Sequence, residues 1–420
     1  MILELSFNNY RMYKDNSVIS FSCDTRTKKL LSNSNSILDR NVLKTVGLYG
    51  QNNIGKSNII DLFTILKKVF LGEENIEFNR RFFNDTPETD ISIIYKTDID
   101  SSWLKYEFTY DSFKHEYVRE QLSEVKYYKT GNPYYKTIYS RDQRRNSYSL
   151  INHNVDPLLV FLPFKKPLLY CLSLDKDPYS FLKPYLDSFI AFSNSIVVLR
   201  MYNIPMEKTI ETLKGEDKKK KEFILSFVKT ADLSINDFSY DDNVKFVSEP
   251  NQNINEEVLQ KIGLVDQFRL TTTYGESRVP SIVFDSSGTK KIEAVASYVY
   301  ETLKEGKTLV IDELDNGLHF KLSRAILSAF NSFANSKAQL VFTAHDIELI
   351  TCKYMMRKDQ VYFSFREDDL TSTLFCLKNA PVESGGPRST EDLLKHYNRG
   401  EFGHVPSPNF IKKLSQLLED

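Results

Sequence analysis

The octapeptide Gly50-Gln51-Asn52-Asn53-Ile54-Gly55-Lys56-Ser57 limits the fold more than any other part of the chain. It fits G-x-x-x-x-G-K-[ST] and stands between an apolar run, Val42–Tyr49, and a segment, Asn58–Phe70, whose apolar spacing is that of a largely buried helix. Strand, tight loop and helix in that order make a cradle for phosphate. Glycine lets the backbone curl until successive N–H groups converge, and the helix start adds its positive dipole end. The residues expected to hold a nucleotide there are Gly50, Asn52, Asn53, Gly55, Lys56, Ser57 and Asn58. Lys56 is expected to neutralise the outer phosphates, and Ser57 to give an oxygen to Mg²⁺.

Two later apolar strands end in side chains that suit hydrolysis. Thr308-Leu309-Val310-Ile311 runs into Asp312 and Glu313. Asp312, at the strand end, can hold the magnesium through water. Glu313, one position on, points differently and can polarise an attacking water as general base. Ala338–Thr343 is a second such strand, and His345 follows it about thirty residues after the acidic pair, on what should be the neighbouring parallel strand. Its imidazole is placed to meet a terminal phosphate. The expected catalytic residues are therefore Lys56, Glu313 and His345, and the expected metal ligands Ser57 and Asp312.

The rest of the chain divides by texture. Residues 1–150 are strand-rich: Ile2–Phe7 and Val18–Ser22 read as strands, and short alternating runs from Thr89 to Thr137 suggest an antiparallel meander. Residues 151–262 read as a helical insertion, with helices over Phe181–Tyr202 and Met206–Thr230 and a lysine run, Lys218–Lys221, on a solvated face. From 263 to 420 the rhythm of strand and helix returns: a strand or loop over Val279–Phe284, helices over Lys290–Lys304 and Leu318–Asn331, and a short amphipathic helix at the end.

A chain of 420 residues can bury a sizeable core, and a formal charge of −1 supplies no global basic field toward nucleic acid. Four cysteines without C-x-x-C spacing read as reduced thiols in a cytoplasmic protein. No signal peptide or membrane-length apolar stretch is apparent. The many tyrosines and phenylalanines are expected in the core.

Taken together, GQNNIGKS, DSSGT, TLVIDELDNGLH and QLVFTAHD resemble the ABC-type ATPase heads of the SMC, RecF and OLD families. More closely, they are similar to the single-chain bacterial AAA ATPases with an ABC-like core of the abortive-infection and phage-defence group. The closing Gly400–Pro406 segment resembles the ends of those proteins, whereas the middle of the chain supports no assignment. The resemblance implies an α/β fold, an ABC-type P-loop NTPase head whose mixed sheet has a parallel core and an antiparallel meander, with a helical insertion. It implies ATP and Mg²⁺ as ligands and a homodimer as the active form. Ser286, Ser287 and Gly288, in Asp285-Ser286-Ser287-Gly288-Thr289, stand where these families carry the signature loop that binds the γ-phosphate held by the opposite protomer. Asp315 matches the loop that signals between protomers. The glutamine that ligates magnesium in such proteins is not identifiable, Gln51 lying inside the phosphate loop.

Only seventy-five residues (420 − 345) follow His345, fewer than an appended nuclease domain needs. The expectation is therefore a sensor or regulatory ATPase subunit of an anti-phage defence system, acting on a separately encoded nuclease or toxin. The alternative is a RecF-like DNA-binding ATPase of recombination or repair, for which Lys218–Lys221 and Arg141, Arg144 and Arg145 are the visible basic clusters.

Overall fold

Parallel strands buried on both faces read as unbroken apolar runs, and five parallel strands form the centre of this molecule. A computed structural model describes residues 1–24, 29–78, 86–128, 131–151, 162–243, 265–351 and 355–379. The 400–406 segment, the terminal helix and Cys352 lie outside the described residues.

The chain opens with β1 (Ile2–Asn8) and β2 (Ser17–Ser20), then a small hairpin, β3 (Ser34–Ile37) and β4 (Arg40–Leu43). β5 (Thr45–Tyr49) leads through the glycine loop into α1 (Lys56–Phe70). A meander follows: β6 (Glu88–Tyr95), β7 (Trp103–Asp111), β8 (Glu116–Tyr127), β9 (Pro133–Asp142) and β10 (Ser147–Leu150). Next come α2 (Lys183–Ser195), β11 (Ile196–Arg200), α3 (Glu207–Lys214), α4 (Lys218–Ala231) and β12 (Ile235–Tyr240). The described chain closes with β13 (Leu270–Tyr274), β14 (Ser277–Pro280), α5 (Ser287–Glu305), β15 (Thr308–Asp312), α6 (Phe320–Phe330), β16 (Gln339–Thr343), β17 (Val361–Arg366) and β18 (Ser372–Cys376).

The central sheet has the order β11-β15-β16-β5-β17-β18, parallel except for its last strand. The meander joins β1 and β2 in a seven-stranded antiparallel sheet, and β12, β13 and β14 make a third, small one. Side chains alternate across the central sheet and so divide the core in two. Val310 and Val341 pack with Ile59, Phe63 and Leu66 of α1 and with the meander. Leu309, Ile311, Leu340 and Phe342 pack with Ile292 and Val295 of α5 and Ile326 of α6. Helix α1 is thus buried between two sheets, which fixes the loop before it. The aromatic residues serve this layer: Phe70 meets Phe189 at 4.6 Å and Tyr95 at 5.1 Å between ring centroids.

Three features differ from the sequence expectation. The apolar run Val42–Tyr49 is two strands, broken at Lys44, whose buried ammonium donates to Ser332 O at 2.7 Å. The helix expected over Phe181–Tyr202 ends at Ser195, and Ile196–Arg200 is a strand at the edge of the central sheet. Ile196, Val197 and Val198 are β-branched and favour a strand, and the polar Ser193-Asn194-Ser195 cluster before them, which stays inside α2, is the one local signal of the change. The segment 151–262 therefore holds strands β11 and β12 beside its helices. Strands β17 and β18 were not anticipated, yet β17 lies directly beside β5.

Candidate active site

Parallel pairing brings the ends of β5, β15 and β16 to one edge. Thr343 pairs with Leu48 and Ile311 with Phe342, so Gly50, Asp312 and Thr343 emerge side by side. The loop after β5 is shaped by positive φ angles at Gly50 (136°), Asn53 (58°) and Gly55 (91°). Only glycine serves at the first of these, because a Cβ on Gly50 would stand 2.3 Å from the carbonyl oxygen of Ser364. Ser364 belongs to β17 and holds the loop from below. Its hydroxyl donates to Ile54 O at 3.0 Å and meets the Tyr13 hydroxyl at 2.9 Å.

Lys56, at the start of α1, is buried and folds back across the loop, donating to Gly50 O and Gln51 O at 2.6 Å each. Burial pushes its ammonium down to about 8, against the opposing pull of Asp312, Asp315 and Glu313. Asn52 and Asn53 are exposed on the loop's outer rim, and Asn58 accepts from Arg11 Nη1 at 3.1 Å.

Ser57 and Asp312 converge, with Ser57 Oγ donating to Asp312 Oδ1 at 3.1 Å. A hydroxyl and a carboxylate at the head of a phosphate loop are hard oxygen donors, and they fit Mg²⁺, which keeps several waters and takes few protein ligands. Thr343 locks the acidic pair in place: its hydroxyl donates to Asp312 Oδ1 at 2.7 Å and accepts from the Glu313 N–H at 2.7 Å. Glu313 itself adopts φ 57°, a strained backbone for a non-glycine residue that turns its carboxylate away from that of Asp312. His345 Nε2 lies 3.7 Å from Glu313 Oε1, beyond hydrogen-bond length, and both side chains reach solvent.

Asp315 faces inward. Its Oδ2 accepts from the N–H groups of His345 (2.8 Å) and Asp346 (2.6 Å) of the same chain, so it fixes the turn that carries the histidine. The signature segment stands elsewhere. Ser286 caps α5, its Oγ accepting from Thr289 N at 3.1 Å, while Ser286 and Ser287 are exposed. A Cβ on Gly288 would lie 3.1 Å from Gly317 O, so within one chain this helix start packs on the loop after Glu313. Asp285 anchors the segment to β13 through the hydroxyls of Thr272 and Tyr274. Behind it Glu293 is fully buried, and desolvation, reinforced by Asp285, pushes its carboxyl well above the usual range.

Several residues of the site escaped the sequence reading. Arg11 and Arg200 both pair with Asp61 of α1, and Arg200 stands beside Asp312 in the register of β11 and β15. Thr343 lay within the quoted strand and is recognisable as its one hydroxyl, whereas nothing local marks Ser364, Tyr13 or Arg200.

A family model described as "AAA domain, putative AbiEii toxin, Type IV TA system" matches residues 46–351, which include every one of these motifs. A curated "ATP/GTP phosphatase" of Helicobacter pylori (strain ATCC 700392 / 26695) is 32% identical over 119 residues. That match takes in 27% of this chain and 29% of the relative's length. Among solved structures, an SMC head domain from Thermotoga maritima aligns over 89% of this chain and 98% of its own, at 13% identity and TM-score 0.41. The recombination mediator protein RecF-ATPrS of the RecFOR pathway aligns over 90% of this chain and 98% of its own, at 15% identity and TM-score 0.37. With its model spanning the phosphate loop, the acidic strand and the histidine strand, the chain belongs to this family of AAA-domain ATPases.

Proposed function

We propose that this chain binds Mg-ATP on the Gly50–Ser57 loop and hydrolyses it when the signature segment of a second copy closes over the outer phosphate. The observation that carries this reading is the meeting of Lys56, Ser57, Asp312 and Glu313 at one edge of one parallel sheet. Lys56 then exchanges its two loop carbonyls for phosphate oxygens. Ser57 and Asp312 would hold Mg²⁺, which would supply positive charge against the phosphates. Glu313 takes a proton from the attacking water as the new P–O bond forms and the bond to ADP breaks. His345 borders the same space and helps to hold that water.

The far side of the site comes from the partner. Ser286 and Ser287 are exposed at a helix N-terminus, the position that suits an anion. Just before them Val283 and Phe284 are 58% and 63% exposed, an apolar border suited to a second copy. Turnover per chain is therefore expected to rise with protein concentration and to level off as dimers fill. A rate per chain that stays constant down to concentrations where light scattering shows only monomer would overturn the composite site.

As to biological role, we propose a sensor or regulatory ATPase of an anti-phage defence system that controls a separately encoded effector. The toxin system in the family's description supports this reading. The products of adjacent genes are expected to co-purify with the chain and to be required for protection; protection by this chain alone would contradict it. For the DNA-binding alternative, three of the basic residues read in the sequence are engaged within the chain, while Lys218, Lys219 and Arg145 are exposed. Arg141 is buried against Glu120 at 2.9 Å, Arg144 pairs with Glu88, and Lys220 reaches Glu301 at 2.5 Å.

A further inference from the structure

The loop after the acidic strand contains a contact that the catalytic reading does not use. Asn316 Nδ2 donates to Glu313 Oε2 at 2.6 Å. Lys291 Nζ, from the first turns of α5, donates to Asn316 Oδ1 at 2.9 Å and to Asn316 O at 2.7 Å. The chemistry allows one orientation. A lysine ammonium only donates and a carboxylate only accepts, so the amide between them must offer oxygen to one and nitrogen to the other. Aspartate or leucine at 316 cannot serve both neighbours.

The surroundings crowd this contact. Gly317 has φ 68°, and a Cβ there would stand 2.6 Å from Lys291 Nζ. Gly288, at the same helix start, packs on this loop too, since a Cβ there would stand 3.1 Å from Gly317 O. A lysine near a helix N-terminus opposes the helix dipole, so its place there depends on the oxygens that Asn316 supplies.

We propose that Lys291 and Asn316 are positioning residues that orient the Glu313 carboxylate and tie it to the signature helix of the same chain. One carboxylate oxygen is held by Asn316, which leaves the other, on the His345 side, to take the proton. The residues of α5 proposed to meet the partner's nucleotide lie at the same helix start, one turn from Lys291. Engagement of that nucleotide moves the helix start, and the relay carries the movement to this chain's own base. A filled neighbour then speeds each site, which still turns over when its neighbour is empty. This rests on the reading of Glu313 as general base.

The test is steady-state ATP hydrolysis by the full chain with Asn316→Ala, Lys291→Met, Lys291→Arg and the double variant Lys291→Met/Asn316→Ala. Loss of such an outer contact typically lowers activity by about 10- to 100-fold. A fall in kcat of that size is expected in the first two variants, with KM for ATP and melting temperature held near wild type. Lys291→Arg should recover most of the rate, and the double variant should be no slower than the worse single one. Cooperativity in ATP should disappear along with the rate. Wild-type kcat in Asn316→Ala, or penalties that multiply in the double variant, would overturn the relay while leaving Glu313 as base. Full activity of Glu313→Gln would overturn the base assignment and the relay with it.

Discussion

Glu313→Gln is expected to lower ATP turnover by at least about a hundredfold, the scale set by removing a general base, while leaving nucleotide bound. The substitution keeps the volume, the strained backbone at φ 57° and the N–H to Thr343 Oγ1. The amide oxygen can still accept from Asn316. What it cannot do is take a proton from water. Lys56, Ser57 and Asp312 are untouched, so on the proposed composite site the nucleotide still joins two copies, and the step proposed to part them is blocked. The variant should therefore elute as a larger species with ATP and as the smaller one without it, with single-turnover phosphate release slowed by the same factor as kcat. Rapid phosphate release with an unchanged elution volume would remove Glu313 from the reaction.

How much of this could be read in advance depended on whether the constraint was local. The phosphate loop was legible because its geometry restricts residue type at fixed positions: Gly50 has no room for a Cβ and Gly55 must take φ 91°. Strands β15 and β16 were legible because both faces are buried, which leaves a short apolar run bounded by polar residues. Strand β11 was not, since Ser193, Asn194 and Ser195, residue types that favour a break, stay within α2 and Ile196 follows it directly. Strand β17 meets the loop through Ser364, which reaches Ile54 across 310 residues of chain, and through Arg366, which donates to Asn53 O, and no local pattern encodes such meetings. Asp315 shows the same limit from the other side. Its motif resembles the loop that signals between protomers, and nothing in that motif tells that one of its oxygens is taken by the two N–H groups of the His345 turn in the same chain. Electrostatics of the loop were likewise beyond the sequence, because the lowered basicity of Lys56 arises from burial between α1 and the sheet edge.

Lys56→Ala is expected to remove ATP binding and turnover together. The ammonium is the buried cation facing the loop's carbonyls, and charge-assisted contacts to phosphate are among the strongest that a site makes. Ser287→Arg is expected to be inactive for a different reason. It leaves the phosphate loop intact but places bulk at the exposed helix start proposed to meet the partner.

The second reason is what subunit mixing tests. Each chain is proposed to lend its loop to one nucleotide and its helix start to another, so two chains crippled at opposite ends can repair each other. Equal amounts of Lys56→Ala and Ser287→Arg protein, each inactive alone, should together recover up to about a quarter of the wild-type rate, since half the dimers are mixed and each mixed dimer holds one complete site. A mixture as inactive as its components, under conditions where the two chains demonstrably associate, would show that the helix start of one copy does not complete the phosphate loop of the other.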